Sequence, residues 1–147
     1  KKLPGGHARG IAAPESFASY VAMVAEVSIE KGIVRVHRMT CAIDCGMTVN
    51  PNSIRAQMEG AIVYGLTATL KGEITIAGGQ VQQRNFDDYP LLRLEECPDI
   101  DVHIVDSEQA PGGVGEPGVP PTAPAVANAV FALTGKPVRS LPLQIDS

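Results

Sequence analysis

The sequence predicts an α+β domain in which a mostly antiparallel sheet carries two main helices packed on one face. Short apolar runs separated by glycine-containing turns have the pattern of β-hairpins. Two longer segments, residues 50–72 and 121–135, instead have apolar residues at helical spacing or are rich in alanine. Hairpin connections pair strands antiparallel, so the order hairpin, helix, hairpin, strand, helix argues against a parallel doubly wound sheet.

Length and charge limit the classes of protein that fit. The 147 residues are enough for one domain with its own core, and we divide them into an irregular N-terminal segment, residues 1–18, and a domain over residues 19–147. The net charge of −4 and the lack of a basic stripe speak against a nucleic-acid partner. No apolar run is long enough for a transmembrane segment, and neither a secretory signal nor an initiator methionine opens the chain. We therefore expect a processed chain or an excised part of a longer protein.

The first predicted element after the Gly-, Pro- and Ala-rich start is a hairpin. Residues 20–29 form an apolar run, residues 33–43 alternate, and Gly32 lies in the short turn between them. These two runs predict the central antiparallel pair of strands.

Asn50 and Pro51 predict the start of the first long helix, because Asn caps free amide groups and Pro suits the first helical position. Apolar residues recur at helical spacing up to Gly72, where we expect the helix to end. Gly60 and Gly65 inside it each cost about 1 kcal/mol relative to Ala. Close packing against a strand or a cofactor loop should offset that cost.

The second half of the chain predicts smaller elements and one more helix. Residues 74–83 read as a second hairpin around a Gly-Gly turn, and residues 85–97 as a polar connection with a short helical turn. A strand is predicted at residues 100–105. The alanine-rich residues 121–134 predict a buried helix that packs closely against its neighbours and ends at a glycine. Residues 138–145 predict an edge strand that is interrupted by a proline.

The segment Gly-Gly-Val-Gly-Glu-Pro-Gly-Val-Pro-Pro at residues 112–121 carries one carboxylate, Glu116. Its glycines permit a ligand to approach the backbone closely, and Pro117 biases Glu116 towards an extended conformation. The nearest side chains, Val114 and Val119, are apolar. A carboxylate on a stiff turn with apolar neighbours is a candidate general base. The alternative is an ordinary solvent-exposed turn.

Cysteines and histidines predict no metal site. The cysteines are Cys41, Cys45 and Cys97, and this odd, small number argues against a disulfide framework. Their spacing resembles no common zinc or cluster motif, so we expect reduced thiols that pack as small apolar groups. The three histidines are scattered, and His37 and His103 alternate with apolar residues, which places them on a solvated face.

Three motifs in order resemble a known family. They are Asp-Cys-Gly-Met-Thr-Val-Asn-Pro at residues 44–51, Ala-Gln-Met-Glu-Gly-Ala at 56–61, and Gly-Gly-Val-Gly-Glu-Pro-Gly at 112–118, continued by the Pro- and Ala-rich residues 120–129. With them, the chain resembles the C-terminal part of the molybdenum-binding large (β) subunit of the xanthine dehydrogenase/aldehyde oxidase family. It looks most like the isoquinoline 1-oxidoreductase β-subunit branch, over nearly the whole chain from Tyr20 onward.

The resemblance implies part of a molybdenum hydroxylase that oxidises N-heteroaromatic or aldehyde substrates with water as the oxygen source. It implies that Glu116 is the general base that takes a proton from the molybdenum-bound hydroxyl, and that Gln57 contacts the cofactor. That cofactor is molybdopterin carrying molybdenum, in bacterial members usually in the cytosine dinucleotide form. Gly113 and Gly115 are further candidates beside the cofactor, with simple turn glycines as the alternative. The residues around the Gly-Glu-Pro motif favour the isoquinoline-type branch over purine substrates.

The resemblance also implies partners. These are the remaining domains of the large subunit, a small subunit with two 2Fe–2S clusters, a small-molecule substrate, and an electron acceptor such as a cytochrome. We expect the isolated chain to be inactive and free of molybdenum, because other polypeptide must help to enclose the cofactor. Relatives often carry a twin-arginine export signal, which implies a periplasmic or membrane-attached location, with the cytoplasm as the alternative.

Two other functions remain open from sequence. The chain could be a stand-alone binding or interaction domain that kept the fold and lost the chemistry, and the reading frame upstream of Lys1 would separate the two cases. An enzyme with another cofactor is disfavoured, because Gly5-Gly6 and Gly78-Gly79 do not form a dinucleotide fingerprint and no phosphate-binding loop occurs.

Overall fold

A computed structural model describes residues 2–145 of the chain. The elements in chain order are β1 (His7–Ala12), β2 (Glu15–Ser16), β3 (Ser19–Glu30), β4 (Ile33–Asp44), α1 (Pro51–Leu70), β5 (Ile76–Ala77), β6 (Gln80–Val81), a 3-10 turn (Leu94–Glu96), β7 (Asp99–Ile104) and α2 (Thr122–Thr134). One five-stranded sheet has the order β1-β3-β4-β7, with β2 also paired to β3, and β5 and β6 form a separate hairpin. All pairs are antiparallel except β4 with β7. The predicted α+β class with a mostly antiparallel sheet is confirmed.

The central hairpin, β3 with β4, forms one wall of the core. Its side chains alternate, so that every second residue of β3 from Val21 to Val27 is buried beneath the helices. Lys31 and Gly32 make the turn with positive φ angles of 53° and 79°. The hairpin predicted for residues 20–43 is confirmed.

Helix α1 begins and ends where its sequence predicts. The Asn50 side chain accepts a hydrogen bond of 3.1 Å from the Ser53 amide, and Pro51 occupies the first turn. The amides of Lys71 and Gly72 both donate to the Thr67 carbonyl and close the last turn. The buried face of α1 joins the core of the domain through Ile54, Met58, Ile62 and Leu66.

Helix α2 lies very close to its neighbours because small residues face each other. A Cβ atom added at Gly10 of β1 would overlap the α2 backbone at Ala125 and Ala129, and one added at Gly65 of α1 would lie 2.8 Å from the Thr122 Cβ. The expected close packing of an alanine-rich helix is thus confirmed, and the same contact offsets the cost of Gly65. The helix ends at Gly135, whose φ angle is 70°.

The irregular structure expected at residues 1–18 is wrong for His7–Ala12 and Glu15–Ser16, which are strands. Local composition predicted loop, but Gly10 allows β1 to run directly beneath α2 and pair with β3. Tertiary contact here overrides weak local propensity. The proposed domain boundary at residue 19 stays a prediction.

The edge strand predicted over residues 138–145 is also wrong, since this segment forms no strand in the structure. Instead the Leu143 amide donates a hydrogen bond of 2.7 Å to the Thr69 carbonyl of α1, and Val138, Leu143 and Ile145 pack against the core. Apolar alternation therefore reflected packing beside a helix rather than pairing in a sheet.

One pair of histidines is closer than the sequence suggested. The rings of His7 and His37 stack with their centroids 4.3 Å apart, and His37 Nε2 lies 2.8 Å from the Ser28 hydroxyl. His37 is therefore half-buried rather than solvated, whereas His103 is exposed as predicted. Glu26 lies beside the pair, with its carboxylate 3.2 Å from His7 Nδ1.

Neither α1 nor α2, the two long helices of residues 2–145, combines the length and the hydropathy that a bilayer-spanning helix needs.

Candidate functional site

The loop of residues 112–121 lies directly on α1 and carries Glu116. Gly118 makes the contact: a Cβ atom there would lie 2.8 Å from the Ala61 Cβ and 3.2 Å from the Met58 sulfur. No larger residue fits at 118 without moving the loop away from the helix. Because Glu116 lies two residues before Gly118, this contact places the Glu116 backbone near the middle of α1.

The other end of the loop is fixed to the turn between β2 and β3. The Gly113 amide donates to the Phe17 carbonyl at 2.7 Å, and the Ser19 hydroxyl donates to the Gly113 carbonyl at 2.7 Å. The Gly112 amide donates to the Cys45 carbonyl at 2.8 Å. Both backbone polar groups of Gly113 are thus bonded within the chain.

A cleft of about 580 Å³ lies between this loop, α1 and the β2–β3 turn. Ten residues line it: Ser16, Phe17, Gln57, Gly60, Ala61, Tyr64, Gly115, Glu116, Val119 and Pro120. Three of the four site residues predicted from sequence, Glu116, Gln57 and Gly115, therefore share one concave surface. Gly113 lies outside this lining, and its role beside a cofactor stays a prediction.

The polar groups of the cleft are available for a ligand. Glu116 and Gln57 are both exposed, and among residues 2–145 neither side chain makes a hydrogen bond within the chain. A carboxylate can accept a proton, and a primary amide can donate and accept hydrogen bonds at once. The apolar enclosure expected around Glu116 is only half formed, because Val119 lines the cleft whereas Val114 packs against the core.

The remaining lining is mostly apolar or lacks a side chain, apart from the hydroxyl groups of Ser16 and Tyr64. Phe17 and Tyr64 are 64% and 71% exposed, so most of each aromatic side chain is accessible to a ligand in the cleft. A Cβ atom at Gly60 would have no atom within 4 Å, so the helix backbone is open to the cleft there. The cleft therefore offers apolar walls together with one carboxylate, one amide and the hydroxyl groups of Ser16 and Tyr64.

Sequence reasoning did not single out Tyr64 or Phe17 as site residues. Tyr64 could have been found, because it follows Gln57 by seven residues and so lies two helical turns along the same face. Phe17 could not, because its position depends on the pairing of β2 with β3, which the local sequence did not predict.

The cleft offers no ready set of metal ligands. Within residues 2–145, no group of three or more His, Cys, Asp or Glu side chains is arranged to hold a metal ion. Asp44 accepts the Gly46 amide at 3.0 Å and so caps its own turn. Burial raises the pKa of the Cys41 thiol to about 11 and also raises that of Cys45. These buried thiols belong to the apolar core.

Comparison with known proteins identifies the kind of cofactor. The family model of the molybdopterin cofactor-binding domain matches residues 6–98. This range includes Gln57, Gly60 and Tyr64 on the helical wall of the cleft, together with Phe17 on the turn.

Two curated relatives match most of the chain. The β subunit of isoquinoline 1-oxidoreductase from Brevundimonas diminuta is 40% identical over 142 residues, which cover 95% of this chain and 18% of that protein. The membrane-bound aldehyde dehydrogenase (pyrroloquinoline-quinone) of Gluconacetobacter polyoxogenes is 34% identical over 123 residues, or 82% of this chain and 16% of that protein. The name of this second relative mentions pyrroloquinoline quinone, which is a different cofactor. The family model that matches the present chain, however, describes molybdopterin binding. The chain spans less than a fifth of either relative.

A solved structure has the same fold. Quinoline 2-oxidoreductase from Pseudomonas putida 86 superposes with a TM-score of 0.77 at 24% identity, over 84% of this chain and 17% of that one. The family model and the relatives together confirm the resemblance to the molybdenum-binding subunits of the xanthine dehydrogenase/aldehyde oxidase family. The chain belongs to the family of molybdopterin cofactor-binding domains.

Proposed function

We propose that this chain is the part of a molybdenum hydroxylase that supplies the general base and one wall of the cofactor site. The whole enzyme would oxidise an N-heteroaromatic or aldehyde substrate with water as the oxygen source. The observation that carries the proposal is the cleft, in which Glu116 lies with Gln57 and Gly115 between a loop and a helix. The names of the relatives, which mention isoquinoline and aldehyde, support these two substrate classes.

The residues present fit a pterin cofactor. A pterin ring is flat, with a polar edge of hydrogen-bond donors and acceptors, and the Gln57 amide has both kinds of group to offer. Gly60 leaves space for a flat ring to approach the helix backbone, and a Cβ atom at Gly115 would come within 3.7 Å of Gln57 Nε2 and narrow that space. Gln57, Gly60 and Gly115 would therefore hold the cofactor, for which we propose the cytosine dinucleotide form.

When bound, the cofactor supplies the oxygen-transfer and electron-accepting chemistry, and the protein supplies position and electrostatics. The part of this chain is a proton transfer to the Glu116 carboxylate oxygens. The backbone of Glu116 is held by a turn in which its carbonyl accepts the Val119 amide at 2.8 Å, and by the contact of Gly118 with Ala61. The carboxylate thus has a fixed origin and a free end, which suits a proton acceptor in the cleft.

Other polypeptide must complete the site. Glu116 is exposed in this chain, and exclusion of water strengthens the electrostatic interactions of a catalytic carboxylate. We propose that the remaining domains of a large subunit close over the cleft. A small subunit with 2Fe–2S clusters would then carry electrons to an acceptor. In isolation the chain should bind no molybdenum and show no turnover.

The test of the base is Glu116→Gln in the complete enzyme. It should lower kcat by about 10²-fold or more while the molybdenum content stays unchanged, because only the proton acceptor is lost. Glu59→Gln is a matched control, since Glu59 is an exposed carboxylate on α1, the helix beneath the Glu116 loop, and does not line the cleft. Near-normal turnover of the Glu116 variant would reject this role.

The test of the cofactor wall is Gln57→Ala in the complete enzyme. Elemental analysis of the purified variant measures the number of molybdenum atoms per protein. We expect the content to fall, whereas Asn52→Ala, which removes another exposed amide from α1 outside the cleft, should leave it unchanged. Full molybdenum content in the Gln57 variant would contradict the proposed contact. Stoichiometric molybdenum in the isolated chain would overturn the claim that other domains are needed.

A further inference from the structure

The turn between β2 and β3 has an unusual backbone. Ser16 pairs with Ser19, and the two residues between them, Phe17 and Ala18, have φ angles of 54° and 56°. Two-residue hairpin turns with positive φ at both positions normally use Asn and Gly, because Gly has no Cβ atom and the short polar side chain of Asn tolerates this conformation. A bulky aromatic residue at the first position is therefore strained.

Contacts with the Glu116 loop hold this strained turn in place. The Phe17 carbonyl accepts the Gly113 amide, and the Ser19 hydroxyl donates to the Gly113 carbonyl, both at 2.7 Å. Glycines at two loop positions make room for the turn: a Cβ atom at Gly113 would lie 2.7 Å from the Phe17 Cβ, and one at Gly112 would lie 2.5 Å from the Ser19 hydroxyl. Strain persists only where the surroundings fix it in this way, and such places cluster at ligand sites.

The strained turn does not bury the Phe17 ring. The Phe17 side chain is 64% exposed, so its ring is not part of the core. It instead lines the cleft that holds Glu116, and Tyr64 on α1, 71% exposed, lines the same cleft. Aromatic walls around a few polar groups are typical of sites that bind a flat ring.

We propose that Phe17 is a specificity-determining residue whose ring contacts the planar ring of an aromatic substrate and holds it beside Glu116. The inference rests on the proposed function, because it assigns the cleft to substrate as well as to cofactor. Substrate is favoured over a packed protein segment because Phe17 and the Glu116 loop are bonded to each other, so the ring and the carboxylate keep a fixed relation. A residue that only filled a domain contact would not need that link to the base.

The test compares two variants of the complete enzyme that both relax the turn. Phe17→Asn accepts positive φ and removes the ring, whereas Ala18→Gly accepts positive φ and keeps the ring. Both should keep their molybdenum content and unfold at a temperature equal to or above that of the unaltered enzyme. Phe17→Asn should raise KM for isoquinoline about tenfold or more and leave KM for acetaldehyde, which has no ring, within about twofold. Ala18→Gly should leave both KM values, for isoquinoline and for acetaldehyde, unchanged.

Binding without turnover separates this inference from the proposed function. Equilibrium dialysis of isoquinoline against the unaltered enzyme and against Phe17→Asn should show at least tenfold weaker binding by the variant. Equal binding by the two proteins overturns the role of Phe17 and leaves the proposed function intact. Absence of binding by the unaltered enzyme overturns both the aromatic substrate class and the inference. If Phe17→Asn and Ala18→Gly lose isoquinoline binding equally and both lose molybdenum, the turn has a structural role. That result overturns the inference about Phe17.

Discussion

The backbone of Gly118 lies against the methyl group of Ala61, so that a Cβ atom at residue 118 would be only 2.8 Å from the Ala61 Cβ. This contact joins the loop that carries Glu116 to the helix that carries Gln57. The relative position of the candidate base and the candidate cofactor ligand thus depends on the absence of one methyl group.

We expect Gly118→Ala to destabilise the chain by about 1–3 kcal/mol, because an added methyl in a packed contact forces backbone movement. Urea unfolding measures this change. Gly115→Ala is the control in the same loop, since its Cβ atom would meet only Gln57 Nε2 at an ordinary distance of 3.7 Å. A Gly118 variant as stable as the Gly115 variant would show that the loop is free to move off the helix.

The two glycines inside α1 should respond in opposite directions to the same substitution. Gly60→Ala should stabilise the chain by about 1 kcal/mol, because alanine is the better helix former and nothing lies within 4 Å of the new methyl. Gly65→Ala should destabilise it by about 1–3 kcal/mol, because its methyl would lie 2.8 Å from the Thr122 Cβ. Thermal unfolding of both variants checks the pair, and equal shifts would contradict the close contact of the helices.

Acid should destabilise the chain through His37 and Glu26, whose pKa values are lowered in the folded chain. Burial lowers the pKa of His37, and the positive charges of His7 and Arg35 lower it further, against opposite effects of Glu26 and Glu30. Burial alone would raise the pKa of Glu26, but hydrogen bonds from Arg9 and His7 hold it below its usual value. Both pKa values are lower in the folded chain, so both groups contribute stability at high pH that is lost as pH falls.

We therefore expect the free energy of unfolding to decrease first below about pH 6.5, where His37 takes up its proton on unfolding, and again below about pH 4.5 for Glu26. Urea unfolding at stepped pH measures both phases. His37→Phe keeps a stacked ring without a titrating group and should remove the upper phase, and Glu26→Gln should reduce the lower one. An upper phase that persists in the His37 variant would assign it to another group.

Elements with strong local signals could be predicted from sequence, while those that depend on distant pairing could not. Asn50 and Pro51 predicted the start of α1 because capping is a local interaction, and the helix ends within two residues of Gly72. Strand β1 was missed because its stability comes from Gly10 beneath α2, more than a hundred residues later in the chain. The approach of His7 to His37 was missed for the same reason, since it follows from the pairing of β1 with β3.

The candidate site divides in the same way. Glu116, Gln57 and Gly115 were chosen from motifs, and the fold brings all three to one cleft. Phe17 joins them only because a two-residue turn packs against the glycines of the loop, which no periodicity in the sequence reveals. Sequence therefore predicts the polar groups of the cleft better than its apolar walls.

The cysteines should differ sharply in reactivity, because the thiolate is the reactive form and burial suppresses it. Burial raises the pKa of Cys41 to about 11; for Cys45, burial and the negative charge of Asp44 raise the pKa as well. Cys97, by contrast, is only half-buried.

Iodoacetamide at pH 8 should thus label Cys97 first in the folded chain, and Cys41 and Cys45 only after unfolding in urea. Mass spectrometry of the labelled peptides identifies the sites, and a thiol titration in urea should find all three free. Rapid labelling of Cys41 in the folded chain would mean that the strand carrying it opens readily, and that the core beneath the cleft is less well packed than its contacts indicate.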